Sequence, residues 1–373
     1  MTVLVTGGAG YIGSHMVWTL LDAGEDVVVV DRLSTGFDWA VAPEAKLIRA
    51  DVSDTGAITE IIRSHHIAAI IHFAGSISVP ESVADPLGYY QNNTANSLSL
   101  IRAAIETGVN KFVFSSTAAV YGSPEGDHPV AETTPTLPQS PYGVSKLMTE
   151  TMLADAAAAH DFRYAALRYF NVSGADPSGR TGQSTRGAAN LIKVATEAAM
   201  GKRDGIEVFG TDYPTRDGTC VRDFIHVTDL AAAHLNALSY LRAGGDSLVA
   251  NCGYGRGYTV REVLDAVTRL SGRDFEIRYG ARREGDIVTS VADSTRARTV
   301  LGWQPQHDDI DKIVGSALAW EAALARSNHV LAEAGETPRR IVLDWTPPHD
   351  DMEEVIGNAL AFAPVLARRR YNR

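Results

Sequence analysis

Residues 3–14 read VLVTGGAGYIGS, an apolar β-branched run that passes straight into clustered glycines and then into a helical pattern. Gly8, Gly10 and Gly13 satisfy G-x-G-x-x-G, and Gly7 adds the wider G-x-x-G-x-x-G spacing. A strand that turns this sharply into a helix exposes backbone N–H groups at a positive helix end, and the missing side chains let an anion approach them. The arrangement suits one architecture above others: an open parallel sheet whose first strand–helix turn holds a pyrophosphate.

The next 160 residues keep to that plan. DVVVVD (26–31), KLIRAD (46–51), IAAIIHFAG (67–75), KFVFSS (111–116) and YAALRYFN (164–171) read as buried strands, the last closing the series. Helical periods fall between them, near 11–23, 54–65, 85–107 and 140–160. Continuous Val/Ile runs alternating with helices predict an α/β fold, a Rossmann-type doubly wound parallel sheet covered on both faces. Residues 1–171 are expected to form this domain. Segments near 222–243 and 287–293 return to it, and 172–325 form a smaller, discontinuous α/β substrate-binding domain. Residues 326–373 are a C-terminal extension of unassigned role. In it a Pro-Pro break precedes a helix over 352–370, whose terminal arginines suit the helix dipole or a partner.

Asp31 ends the second strand eighteen residues past Gly13. A carboxylate there accepts from both hydroxyls of an adenosine ribose and repels a 2′-phosphate, which favours NAD. Arg32 beside it would suit NADP instead, so the reading rests on Asp31. Asp51, followed by Val52, ends the third strand, where it either accepts from an adenine amino group or is a solvated turn aspartate.

Ser140 and Pro141 open a helix with a capping hydroxyl and a proline in the first turn. Tyr142 and Lys146 share one face of it. By itself the pair could be a surface accident. Placed after a dinucleotide turn and a strand ending in Ser115, Ser116 and Thr117, it reads as an acid–base pair at the ligand-binding edge of the sheet. Moving a hydride from a carbinol to nicotinamide requires removal of the hydroxyl proton, and a phenol of pKa about 10 is a poor base at pH 7. A neighbouring ammonium and a positive nicotinamide are expected to lower it. Thr117 would orient the same hydroxyl.

The net charge of −11 supplies no basic excess for nucleic acid. No apolar run reaches membrane-spanning length, and the strand pattern begins too early for a signal peptide. Cys220 and Cys252 are spaced unlike ligands, so no metal is expected, and they read as reduced thiols of a cytoplasmic protein.

TGGAGYIGSH, HFAG, YYQNN, FSSTAAVYG, SPYGVSK, LRYFN, FGTDYPTRDGTCVRDFIHV and RREGD together resemble the extended short-chain dehydrogenase/reductase family, and within it the UDP-glucose (UDP-galactose) 4-epimerases, over residues 1 to about 325. The resemblance implies an isomerase of carbohydrate metabolism that keeps its NAD bound and interconverts UDP-glucose and UDP-galactose through a 4-keto sugar. It further implies that Gly7, Gly10, Tyr11, Ile12, Gly13, Asp31, Asp51 and Val52 touch the dinucleotide. Phe73, Ala74, Gly75, Asn92 and Ser115 line its path, and Tyr142, Lys146 and Tyr169 meet the nicotinamide end. Thr117 and Tyr142 contact the sugar. Asn171, Asn190, Leu191, Phe209, Arg222, Arg283 and Asp286 hold UDP. Two arginines on a diphosphate are the local cations a net-acidic protein needs. A homodimer through helices like 85–107 and 140–160 is implied as well.

Two positions depart from the pattern. Ile77 stands where relatives often carry lysine. Ser290, between Asp286 and the next strand, stands where hexose-restricted epimerases carry tyrosine, which leaves room for an N-acetylhexosamine. Ala118 and Ala119 stand where nucleotide-sugar dehydratases carry Asp-Glu, and alanine moves no protons; Ala119 also argues against the decarboxylases. A UDP-pentose 4-epimerase and a non-catalytic NAD-binding regulator on the same fold are the remaining alternatives.

Overall fold

The computed structural model describes residues 1–334 apart from 125, 127 and 284, and the helix expected over 352–370 lies outside them. In chain order the elements are β1 (Thr2–Thr6), α1 (Tyr11–Asp22), β2 (Asp26–Asp31), β3 (Lys46–Arg49), α2 (Thr55–Ser64), β4 (Ile67–His72), α3 (Val79–Ala84), α4 (Pro86–Tyr89), α5 (Asn96–Thr107), β5 (Lys111–Ser115), α6 (Pro141–Ala159) and β6 (Arg163–Tyr169). There follow β7 (Asn171–Ser173), α7 (Leu191–Ala199), β8 (Ile206–Phe209), β9 (Val221–His226), α8 (Val227–Arg242), β10 (Leu248–Cys252), β11 (Gly257–Thr259), α9 (Val260–Ser271), β12 (Ile277–Gly280), β13 (Thr289–Ser290), α10 (Thr295–Val300) and α11 (Ile310–Ala334).

The chain divides into two units. The first comprises 1–170, 228–256 and 290–306; the second holds 171–227, 257–289 and, among the described residues, 307–334. The returning segments of the first unit are 228–256 and 290–306.

The first unit is built on a seven-stranded sheet in the order β10-β6-β5-β4-β1-β2-β3, and each neighbouring pair is parallel. The order reverses beside β1, so the crevice outside the strand ends lies next to the glycine turn. Leu4, Val28, Ile70, Phe112 and Phe114 from the strands and Ile58, Leu100 and Leu153 from the helices form a common core. Their burial is the main driving term for this layer.

Three local expectations change. YAALRYFN does not close the sheet: β10 adds a strand beyond β6, with Leu248 opposite Ala165. Nor is it one strand, because the chain leaves the sheet at Phe170 and Asn171–Ser173 pairs with β9. The helical stretch 85–107 is broken by a π-helical segment, Tyr90–Ala95, of the kind that often marks functional positions. Here Asn93 uses its side chain on another part of the chain: Oδ1 accepts from the Ser76 amide at 2.7 Å, and Nδ2 donates to the Ser76 carbonyl at 3.0 Å.

In the second unit β9 pairs with β11 and β7, and β8 and β12 form a parallel pair. Its α9 starts with a capping box between Thr259 and Glu262. A buried Lys193–Glu321 ion pair joins α7 and α11, and Lys202 donates to the same carboxylate at 2.7 Å.

Candidate active site

The glycine turn is shaped by contacts that leave no room for side chains. Gly7 sits at φ +72°, and a Cβ there would lie 2.6 Å from the Ala74 amide nitrogen. The turns of TGGAG and HFAG therefore touch, which brings Phe73, Ala74 and Gly75 beside the dinucleotide turn. A Cβ on Gly13 would lie 2.1 Å from the Gly7 carbonyl oxygen, so glycine lets α1 close on β1. Gly10 differs: a Cβ would meet only that same oxygen, at 3.3 Å. That contact is tight but far less severe than those at Gly7 and Gly13, and no side chain caps α1. The open face and uncapped helix start, carrying Tyr11 and Ile12, fit a pyrophosphate.

Asp31 ends β2 and is fixed from both sides, one oxygen accepting from the Ala9 amide at 3.0 Å and the other from the Leu33 amide at 2.8 Å. Each oxygen keeps acceptor capacity for a ribose hydroxyl. Arg32 turns to Asp51, 3.3 Å away, and to Ser34. Burial would raise the Asp51 carboxyl, but the bonds from Ser53 and Arg32 hold it below the usual range. Val52 is buried beside it.

Tyr142 and Lys146 are both buried on α6, whose N-cap Ser140 accepts from the Gly143 amide at 3.2 Å. The ammonium of Lys146 donates to the Ser115 carbonyl at 3.0 Å and lies 4.9 Å from the centre of the Phe114 ring. Ser115 Oγ and the Tyr169 hydroxyl are 2.8 Å apart. Thr117 lies near enough to the Tyr142 hydroxyl to favour its ionised form, and its Oγ1 accepts from the Ala119 amide at 3.1 Å. Asn92 donates to Ser76 Oγ at 2.8 Å. The three elements α6, β5 and β6 thus gather Ser115, Thr117, Tyr142, Lys146 and Tyr169.

The electrostatics correct one expectation. Burial pushes the Tyr142 phenol above its ordinary value, and the neighbouring Thr117 hydroxyl offsets only part of this. Burial also pushes the Lys146 ammonium down to about 8, against the opposing pull of Glu150. Desolvation outweighs the mutual effect of two side chains.

His72, the first residue of HFAG, bridges Thr6 Oγ1 at 2.6 Å and Ser97 Oγ at 2.9 Å. Burial and then the Lys146 charge hold its imidazole down at about 3. The unfolded chain therefore takes up this proton first, so the stability conferred is complete above pH 6.5 and is lost as pH falls toward 3. The melting temperature should drop steadily on acidification below pH 6.5, and His72→Gln should flatten part of that slope. A slope identical in the variant would contradict this.

In the second unit Arg222 donates to the Val221 carbonyl at 2.8 Å. Arg283 pairs with Asp286 at 3.2 Å and stacks 4.4 Å from the Phe209 ring centre. Asn190 is the N-cap of α7 but makes no capping bond, and Leu191 begins the helix. Asn171 begins β7 and is exposed. Ser290 does not precede the strand but lies within β13. Ile77 is 60% exposed. Asn93, His72, Glu150 and Arg168 were not singled out by sequence reasoning, although YYQNN, HFAG and LRYFN contain three of them.

This fold belongs to a class of enzyme that binds a nicotinamide dinucleotide on a parallel sheet. The chain belongs to the NAD dependent epimerase/dehydratase family, whose model matches residues 3–253. The similarity then narrows to one kind of member. A UDP-glucose 4-epimerase of Azospirillum brasilense is 55% identical over 325 residues, covering 87% of this chain and 93% of its own. The crystal structure of UDP-glucose 4-epimerase from Brucella ovis in complex with NAD is 44% identical with a TM-score of 0.83, covering 85% of this chain and 97% of that one. The UDP-Glc/GlcNAc 4-epimerase of Campylobacter jejuni is 46% identical with a TM-score of 0.76, covering 86% and 98%.

Proposed function

We propose that the protein is an NAD-dependent C4 epimerase that interconverts UDP-glucose and UDP-galactose through a transient 4-keto sugar. The observation that carries this reading is the buried Thr117–Tyr142–Lys146 cluster at the sheet edge that holds the glycine turn. The open face at Gly10, the uncapped start of α1 and the anchored Asp31 support NAD as the resident cofactor. Bound there, NAD would supply the hydride acceptor for C4 and a positive ring that favours the ionised phenol.

In this reading Tyr142 takes the C4 hydroxyl proton and Thr117 orients that hydroxyl. Lys146, anchored on Ser115, keeps a positive charge nearby. Gly7, Gly10, Gly13, Tyr11, Ile12, Asp31, Asp51 and Val52 bind the dinucleotide, and Phe73, Ala74, Gly75, Asn92, Ser115 and Tyr169 line its path. UDP is held by Asn171, Asn190, Leu191, Phe209, Arg222, Arg283 and Asp286. A firm grip on the nucleotide and a loose one on the sugar let the keto sugar turn over before the hydride returns. Purified protein incubated with UDP-galactose and no added NAD should produce UDP-glucose to a constant ratio. An unchanged sugar in protein that contains bound NAD would sink the reading.

The half-buried Ser290, small where a tyrosine would fill space, supports turnover of UDP-N-acetylhexosamines as well. Ser290→Tyr should cut turnover of UDP-GlcNAc by about tenfold or more, as a lost steric fit does, and leave UDP-galactose turnover within about twofold. Equal losses on both sugars would remove this assignment.

A homodimer is part of the proposal. Val83, Leu87, Leu98 and Met148 are exposed apolar side chains on the mutually packed helices α3 to α6. Sedimentation of the purified protein tests it. The buried free thiols Cys220 and Cys252 support a reducing, cytoplasmic location. Among the described residues no helix is long and apolar enough to cross a membrane, and no group of side chains could hold a metal ion.

A further inference from the structure

A buried ion pair lies behind the proposed active residues. Glu150 and Arg168 are 5% and 6% exposed. One carboxylate oxygen of Glu150 accepts from Arg168 Nε at 3.0 Å and from the Ser116 hydroxyl. The other accepts from Arg168 Nη2. Arg168 Nη1 donates to the Tyr121 hydroxyl at 3.0 Å, which in turn donates to Asn251 Oδ1 at 2.7 Å. Asn251 Nδ2 donates to the Val130 carbonyl at 2.8 Å. Each donor finds an acceptor along this chain of buried groups.

Stability alone is a weak reason for such a pair, since matched apolar residues often replace buried ion pairs without loss. Its position is more informative. Ser116 immediately precedes Thr117, and Arg168 immediately precedes Tyr169. Glu150 follows Lys146 by one helical turn and Tyr142 by two. The carboxylate therefore ties the end of β5 to α6, and the guanidinium ties both to β6 and to the segment around Tyr121.

We propose that Glu150, Arg168 and Ser116 are positioning residues for the proposed epimerase reaction, a brace that fixes the distance between the Thr117 hydroxyl and the Tyr142 phenol. This rests on the function proposed above. Only a planar fork makes both bonds to Glu150 while reaching Tyr121, so lysine cannot substitute at 168. A shift of about 1 Å between orienting and reacting groups costs on the order of a hundredfold in rate.

The test uses three variants of the full chain. Glu150→Leu/Arg168→Met removes both charges together and leaves neither unpaired. Arg168→Lys keeps the charge and loses the fork. Ser116→Ala removes one strut with little risk to folding. Each should retain its NAD and its KM for UDP-galactose within about twofold. Turnover should fall about 10- to 100-fold in the first two and several-fold in Ser116→Ala. Turnover at the wild-type level in Ser116→Ala, or in either of the other variants that folds, overturns the proposal.

A wild-type protein that epimerises nothing would refute the proposed function, whereas a wild-type protein that epimerises, with variants turning over at the same rate, overturns only the brace.

Discussion

Tyr142→Phe should reduce epimerisation by about a thousandfold, the middle of the range for loss of a positioned general base, while the variant purifies with its NAD. Phenylalanine fills the same buried volume, so the fold and the cofactor cradle stay intact; what disappears is the atom that accepts the C4 hydroxyl proton. Turnover of UDP-galactose and the NAD content of the same sample check both halves. More than a tenth of wild-type turnover would show that another group removes the proton. The pH dependence adds a signed expectation. Burial holds the phenol above its ordinary value, so turnover should rise as pH is raised toward the phenol's ionisation.

Gly13→Ala and Gly10→Ala should fail in different ways. At Gly13 the new methyl would lie 2.1 Å from a backbone carbonyl oxygen, which cannot swing aside like a side chain. Overpacking of this kind costs about 1–3 kcal/mol, and the melting temperature should drop by roughly 2–10 °C. At Gly10 the methyl meets only the Gly7 carbonyl oxygen, at 3.3 Å, and the backbone is extended at φ −81°, ψ 175°. The cofactor-free fold should keep its melting temperature within about 2 °C, while NAD binds at least about tenfold more weakly because the methyl occupies the pyrophosphate's approach. Thermal melts with and without NAD separate the two. A Gly10→Ala protein that binds NAD normally would mean that the anion does not come to this face.

Much of this protein is set by local sequence. The glycine spacing, Asp31 at the end of β2 and the Val/Ile runs decide strand, turn and helix over a few residues, because backbone sterics and hydrophobic period act at that range. Ser140 and Pro141 likewise start α6 where their chemistry places a helix N-terminus. Other features depend on residues far apart in the chain. β10 joins the sheet through pairing with a strand about 80 residues earlier, and no local pattern names that partner. The π-helical turn at Tyr90–Ala95 accompanies bonds from Asn93 to Ser76 and Ser145. The rise in the Tyr142 phenol is a property of burial, and burial exists only once α6 lies on β5 and β6. The sequence by itself determined which chemical groups this protein has and which elements carry them. The tertiary structure alone decided which of them meet and how strongly water is kept from them, because pairing and desolvation are set by packing between distant segments.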